Sequence, residues 1–209
     1  MWFNAISIYC LSRLSIAVEM RTFLSSHLFQ QTYLKQMKNT VITTIGFVKA
    51  LLKRRLPFSF SSSSLSNIYN YLDIQGVYAT SGQPDAKQFE LIKKAGYELV
   101  INLAPTSVME NSLADEAELL KQLELDYVHL PVNFQRPRDV DFERFVNHLS
   151  ENQSRKVWVH CAANMRVSAF TYRYRVAILK QSIEQAKIDL DKIWEPFGVW
   201  KKFVEKAHK

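Results

Sequence analysis

The stretch Lys156-Val157-Trp158-Val159-His160-Cys161-Ala162-Ala163-Asn164-Met165-Arg166-Val167-Ser168 decides how this chain is read. Residues 156–160 have the character of a strand buried on both faces, as in parallel sheets, and residues 167–180 read as a helix. Ligands of open α/β sheets bind beyond the carboxyl ends of the strands, so the turn between these two elements is the first place to look for chemistry. Successive amides and a helix N-terminus make such a turn a positive concavity, which favours the thiolate form of Cys161 and holds a tetrahedral oxyanion. Arg166 adds a planar fork of donors that takes two phosphate oxygens at once and stabilises charge in a transition state. Ala162 and Ala163 let the backbone approach a ligand closely, and Asn164 is the residue best suited to a left-handed conformation. The competing reading is an inert buried cysteine beside a solvated arginine. Burial alone, however, does not call for an arginine at that offset with small residues between.

Outward from this turn, short apolar runs alternate with longer helical ones from about Ser66 onward. Strands are expected at 77–80, 99–103, 127–132 and 156–160. Helices are expected from Pro84 or Asp85 to Gly96, from Ser112 or Asp115 to Leu123, and over 139–149, 167–180, 183–193 and 197–207. This alternation indicates βαβ units, hence an α/β fold with a mainly parallel central sheet flanked by helices. The domain is placed at 66–209, preceded by a basic, serine-rich, irregular extension at 1–65 that is poorly packed or serves targeting.

Residues 1–67 carry eight basic residues against one acid, Glu19, and 11 serines, the composition of an organellar transit peptide. A start chosen too far upstream fits equally, with Met20 and Met37 as further candidates. The other 142 residues balance at 19 basic and 19 acidic, so the formal charge of +7 gives the domain no reason to bind nucleic acid. The most apolar stretches, 2–18 and 41–52, are interrupted by Arg13 and Lys49 and fall short of a membrane span. A surface-lying basic helix over 41–55 is the lesser alternative there. Cys10 and Cys161 lie in unlike surroundings that support no disulfide. A cytoplasmic location is expected, or an organelle if the extension is a transit peptide.

The segment His160 to Ser168 resembles the signature of cysteine-dependent protein tyrosine and dual-specificity phosphatases: a His-Cys pair, a phosphate-binding loop and an arginine. Thr80-Ser81-Gly82-Gln83-Pro84, the helix after it, Val100-Ile101-Asn102-Leu103 and the run Tyr127 to Val132 resemble the bacterial phosphatase-like domains related to the beta-lactamase-hydrolase-like proteins. The resemblance covers about 66–209 and implies the cysteine phosphatase-like fold. It implies Cys161 as the nucleophile of a phosphocysteine intermediate and Arg166 as the phosphate clamp. Ala162, Ala163, Asn164, Met165 and Ser168 would surround the phosphate. The implied partner is a phosphorylated protein or small molecule. No cofactor is implied, and no Cys or His stands at ligand spacing from another to form a metal site.

Two departures matter. Four residues separate Cys161 from Arg166, where the common phosphatase loop has five, and none is glycine. Val167 also separates Ser168 from the arginine that the family's hydroxyl usually follows directly. Secondly, Asn133 stands where the family keeps an acidic aspartate, and an amide cannot donate a proton to a leaving oxygen. Asp139 and Asp141 are the candidates for that acid, although capping or charging the start of the next helix is the weightier role for both. His160 is expected to orient the loop rather than act as a base, because neighbouring strand residues point to opposite faces.

Two other functions compete. A rhodanese-type sulfurtransferase would carry a persulfide on Cys161; loop length favours it, while the preceding histidine and the upstream segment oppose it. A phosphate-binding module without turnover is what loss of the acid would permit. His129 is read as a packed or edge residue, and Trp194 and Trp200 as helix packing. The run Tyr172-Arg173-Tyr174-Arg175 superficially matches a nucleic-acid stripe, but consecutive helical residues spread around the axis.

Overall fold

The computed structural model describes residues 40–49, 64–74, 77–107 and 112–208, all within one compact unit, Asn39–Lys209. Short apolar runs bounded by turns become five strands: β1 (Leu72–Ile74), β2 (Tyr78–Ser81), β3 (Leu99–Asn102), β4 (Asp126–His129) and β5 (Val157–His160). They form one sheet in the order β1-β2-β5-β3-β4. β5 runs parallel to both neighbours, with Val159 in register with Thr80 on one side and Ile101 on the other. Only β1 is antiparallel. The carboxyl end of β5 is therefore central, and whatever follows it sits above the middle of the sheet.

Strand alternation sorts the core into two layers. Ile101, Val157 and Val159 pack with residues of α4 (Asp139–Glu151), α5 (Met165–Ala177), α6 (Ile183–Ile193) and α7 (Val199–Glu205). Ala79, Val100 and Trp158 pack with Phe89 and Ile92 of α2 (Ala86–Lys94) and Leu120 of α3 (Glu116–Gln122). The expected α/β architecture, a mostly parallel sheet between helical layers, is the one observed.

α2 starts as its sequence dictates: the Asp85 side chain accepts from the Gln88 amide and Gln88 returns the bond, a capping box, while Gly96 at φ 82 takes the left-handed position beyond its end. α5 buries seven consecutive residues, Arg166 to Tyr172, so it is the helix enclosed by the others. Phe170 stacks on Phe203 with centroids 4.8 Å apart. The indoles of Trp194 and Trp200 are buried and donate to Ser168 Oγ at 3.1 Å and to the Phe134 carbonyl at 2.7 Å, the packing role expected of them. Arg173 reaches Asp139 over the Phe142 ring, whereas Arg175 reaches Asp189, so the two arginines diverge.

Several boundaries differ from expectation. β1 has no counterpart among the expected strands, because three residues carry too little pattern. β4 ends at His129 rather than at residue 132, with Pro131 unable to donate to a ladder, although the Leu130 and Val132 amides still reach Asn102 and Leu103. Within the segment read as irregular, residues 40–49 are helical and form α1. The remaining expectations for residues 1–39 and 50–63, including the transit peptide and Cys10, lie outside the described residues. No helix among the described residues is long and apolar enough to cross a membrane.

Candidate active site

β5 ends at His160 and α5 begins at Met165, so Cys161 to Asn164 make the whole turn. Asn164 adopts φ 64, the left-handed conformation its short amide tolerates, and is fully buried. Its Nδ2 donates to the Asn70 carbonyl at 2.7 Å and to Thr80 Oγ1 at 3.0 Å, fastening the turn to the neighbouring strand. The loop carbonyls are drawn outward. Gln83 donates its amide to Ala162 O at 3.2 Å, and Asn70 Nδ2 donates to Ala163 O at 2.9 Å. Among the described residues, the amides of Ala162, Ala163 and Met165 meet no acceptor of their own. Carbonyls turned away and amides left over is the arrangement an anion cradle requires.

This framework explains the Ser-Gly-Gln-Pro segment. The Gly82 amide donates to Tyr69 O at 2.7 Å, and a Cβ on Gly82 would lie 2.7 Å from Tyr69 Cδ1 and 3.0 Å from Ala162 O. Any larger residue would push on the loop backbone itself. Ser81 accepts from Trp158 Nε1 at 3.0 Å, and its carbonyl accepts from the Cys161 amide at 3.3 Å.

Cys161, Ala162, Ala163, Met165 and Arg166 share one cavity of about 350 Å³ with Phe134, Phe197, Thr40, Thr44 and Phe47. The thiol is free and the residue only 1% exposed, so access is through that cavity. Arg166, also buried, holds its guanidinium 5.2 Å from the Phe134 ring centroid. Nucleophile and arginine thus face the same space from a single turn.

Behind the loop lies a buried polar group that is not among the residues expected from the sequence. Glu116, at the start of α3, accepts from Gln83 Nε2 and from Asn102 Nδ2 at 2.8 Å, and its carboxylate stands 3.3 Å from His160 Nε2. His160 therefore points away from the cavity, toward Glu116 and the Phe89 ring, as strand alternation requires. Burial pushes the Glu116 carboxyl upward, but the His160 charge and hydrogen bonds from His160, Gln83 and Tyr127 outweigh it and hold the value at about 2. The only sequence signal was an acid in a helix's first turn, a position usually solvated.

This carboxylate binds its proton more weakly folded than unfolded. It contributes stability above its ordinary value of 4.5, and that contribution is lost as pH falls through about 2. Glu116→Gln sets an amide NH₂ against one of two donors, Gln83 or Asn102. The expected loss is about 3 kcal/mol near neutral pH, with a flatter decline in acid. Urea melts of both proteins at pH 7 and pH 3 check this: equal midpoints at pH 7 would leave the network without a stabilising role.

The remaining candidates are placed elsewhere. Asp139 is tied to Arg173 at 2.8 Å and Lys206 at 2.6 Å, which hold its carboxyl below the usual range, Lys206 foremost. Asp141 is buried in a pair with Arg138 at 2.6 Å, closing a capping box at the start of α4. Neither lines the cavity, and both take the helix-start roles that weighed more in the sequence. Ser168 donates to Met165 O at 3.0 Å and accepts from Trp194 Nε1, so its hydroxyl is turned into the core rather than into the cavity. The extra residue Val167, itself fully buried, moves the hydroxyl around the helix axis away from the cysteine.

The family described as "DSP-PTPase phosphatase fused to NAD+ Kinase" matches residues 62–195. The chain belongs to this family. It lies within the cysteine-dependent tyrosine and dual-specificity phosphatase superfamily, as the His-Cys to arginine segment implies. A proposed phosphatase (DUF442) from Shewanella putrefaciens CN-32 is 31% identical over 68% of this chain and 93% of its own, with a TM-score of 0.61. TpbA of P. aeruginosa, 19% identical over 73% of this chain and 92% of its own, superposes with a TM-score of 0.53. The core catalytic domain of the PP-IP phosphatase SIW14 from S. cerevisiae, 12% identical over 66% and 85%, gives 0.56. These last two share the family's fold. No curated protein sequence matches.

Proposed function

We propose that the chain hydrolyses phosphomonoesters through a phosphocysteine intermediate. One observation carries this reading: Cys161 and Arg166 line a single cavity on a turn whose amides are left over for an anion. In the first step the Cys161 thiolate attacks phosphorus, the S–P bond forms, and the P–O bond to the leaving group breaks. In the second, water attacks phosphorus, the P–S bond breaks, and inorganic phosphate departs with the thiolate restored. Arg166 and the loop amides hold the equatorial oxygens through both steps.

Among the described residues, the cavity contains no carboxylate and no imidazole to protonate a leaving oxygen. Turnover is therefore expected with leaving groups that depart unaided, such as para-nitrophenolate, and to be slow with alkyl phosphates. The test gives the full chain para-nitrophenyl phosphate and, separately, thiosulfate with cyanide. Release of para-nitrophenolate with a transient phosphoprotein supports the proposal. Thiocyanate formed without phosphate release would replace it by sulfur transfer, and tight phosphate binding without turnover by a binding module.

A further inference from the structure

We infer that α1, residues 40–49, is a working wall of the active site and forms with Phe197 an apolar subsite for the group esterified to phosphate. This rests on the hydrolase reading above but concerns residues that lie outside the family match, which begins at residue 62. α1 is attached to the domain at specific points. Thr43 is buried and donates to the Ile193 carbonyl; Thr40 Oγ1 accepts from the Glu195 amide at 3.3 Å; the Tyr69 hydroxyl donates to the Thr43 carbonyl. Burial above all pushes the Tyr69 hydroxyl up to about 12, helped by the charge of nearby Cys161 against a lowering bond to Asn70, so it remains a donor at neutral pH. At Gly46 the helix lies directly on that ring, where a Cβ would come within 2.9 Å of Tyr69 Cε2.

This attachment brings Thr40, Thr44 and Phe47 into the cavity of Cys161 and Arg166. The wall has a defined chemistry. Opposite the polar floor stand Phe47 of α1, Phe134 and Phe197, and the other lining residues of the helix are threonines, one of which, Thr44, already donates to Thr40 O at 2.8 Å. Among the described residues, nothing on this wall offers a second charge. It therefore fits a phosphoester of an aromatic or bulky apolar alcohol better than a sugar or nucleotide phosphate, whose hydroxyls and charges would be desolvated without partners. Tyr69 also ties the wall to the cradle, since its carbonyl accepts from Gly82 and the Gly82 segment holds Ala162. Tyr69 is a positioning residue; Phe47 and Phe197 are the residues in contact with the ester group.

The test measures binding, not turnover, on the full chain carrying Cys161→Ser. It is titrated with inorganic phosphate and with 2-naphthyl phosphate, alone and with Phe47→Ala or Gly46→Val added. The naphthyl ester is expected to bind about tenfold more tightly than phosphate, and Phe47→Ala to remove about fivefold of that advantage while phosphate affinity holds. Gly46→Val, which drives α1 off the Tyr69 ring without altering a lining side chain, should reproduce the loss. An unchanged ratio in both variants overturns the subsite while leaving the hydrolase reading intact, as does an equal fall for both ligands. Failure of both ligands to bind the chain carrying Cys161→Ser alone overturns both readings.

Discussion

Replacing Cys161 by serine is expected to abolish turnover of para-nitrophenyl phosphate, by at least about 10⁴-fold, with no phosphoprotein formed at any time point. The size of the effect follows from what surrounds the sulfur. A serine hydroxyl needs a base to become a nucleophile, and the one histidine next to it in sequence faces Glu116 on the other side of the strand. Among the described residues, no imidazole or carboxylate lines the cavity to take the proton. The thiolate, by contrast, needs no base at the moment of attack. Serine is also close to isosteric, and the Cys161 amide that donates to Ser81 O is retained, so the cradle and the melting temperature should hardly change. Mass spectrometry after rapid quench and a burst assay check both halves. A serine variant that still turned over ester would place the nucleophile elsewhere.

Much of the site could be read from one turn because its determinants are local. A strand end, small residues, an asparagine that takes φ 64 and an arginine at the first helical turn all fall within nine residues, and only the bonds to Asn70, Thr80 and Gln83 that fasten the turn come from elsewhere in the chain. Glu116 could not be read that way. Its role depends on Gln83, just beyond β2, Asn102 of β3 and His160 of β5, far apart in the chain, and a first-turn acid is by itself an ordinary helix feature. For α1, a helix over 41–55 is the lesser alternative in the sequence, but its attachment to the domain could not be read, for the opposite reason. Its threonines Thr40 and Thr43 turn inward to bond the domain, while Val41, Ile42, Ile45 and Val48 are exposed, so the usual rule for finding a helix's buried face points the wrong way. α5, by contrast, was legible as a helix over 167–180, although its seven consecutive buried residues leave no amphipathic stripe over that stretch. Asp139 and Asp141 were legible only as alternatives; they are found in ion pairs with Arg173, Lys206 and Arg138, away from the cavity.

Arg166→Lys is expected to lower kcat/KM for para-nitrophenyl phosphate by about 10² to 10³, with most of the loss in kcat. A lysine keeps the charge, so the argument turns on shape. Phosphoryl transfer spreads charge over three equatorial oxygens as they flatten, and a fixed fork of two parallel N–H donors follows two of them at once. An ammonium offers a single point of charge on a stem that must be ordered anew, which serves a ground-state phosphate better than a flattening one. The setting sharpens the difference. Arg166 is 3% exposed and its guanidinium carbon lies 5.2 Å from the Phe134 ring centroid, while the loop provides one residue fewer between nucleophile and arginine than longer phosphatase loops do. With fewer amides to share the developing charge, the guanidinium carries more of it. Steady-state kinetics with a phosphate inhibition constant measured in parallel separate the two contributions. A drop confined to KM and to phosphate affinity would make Arg166 a simple binding group, and unchanged kinetics would remove it from the reaction.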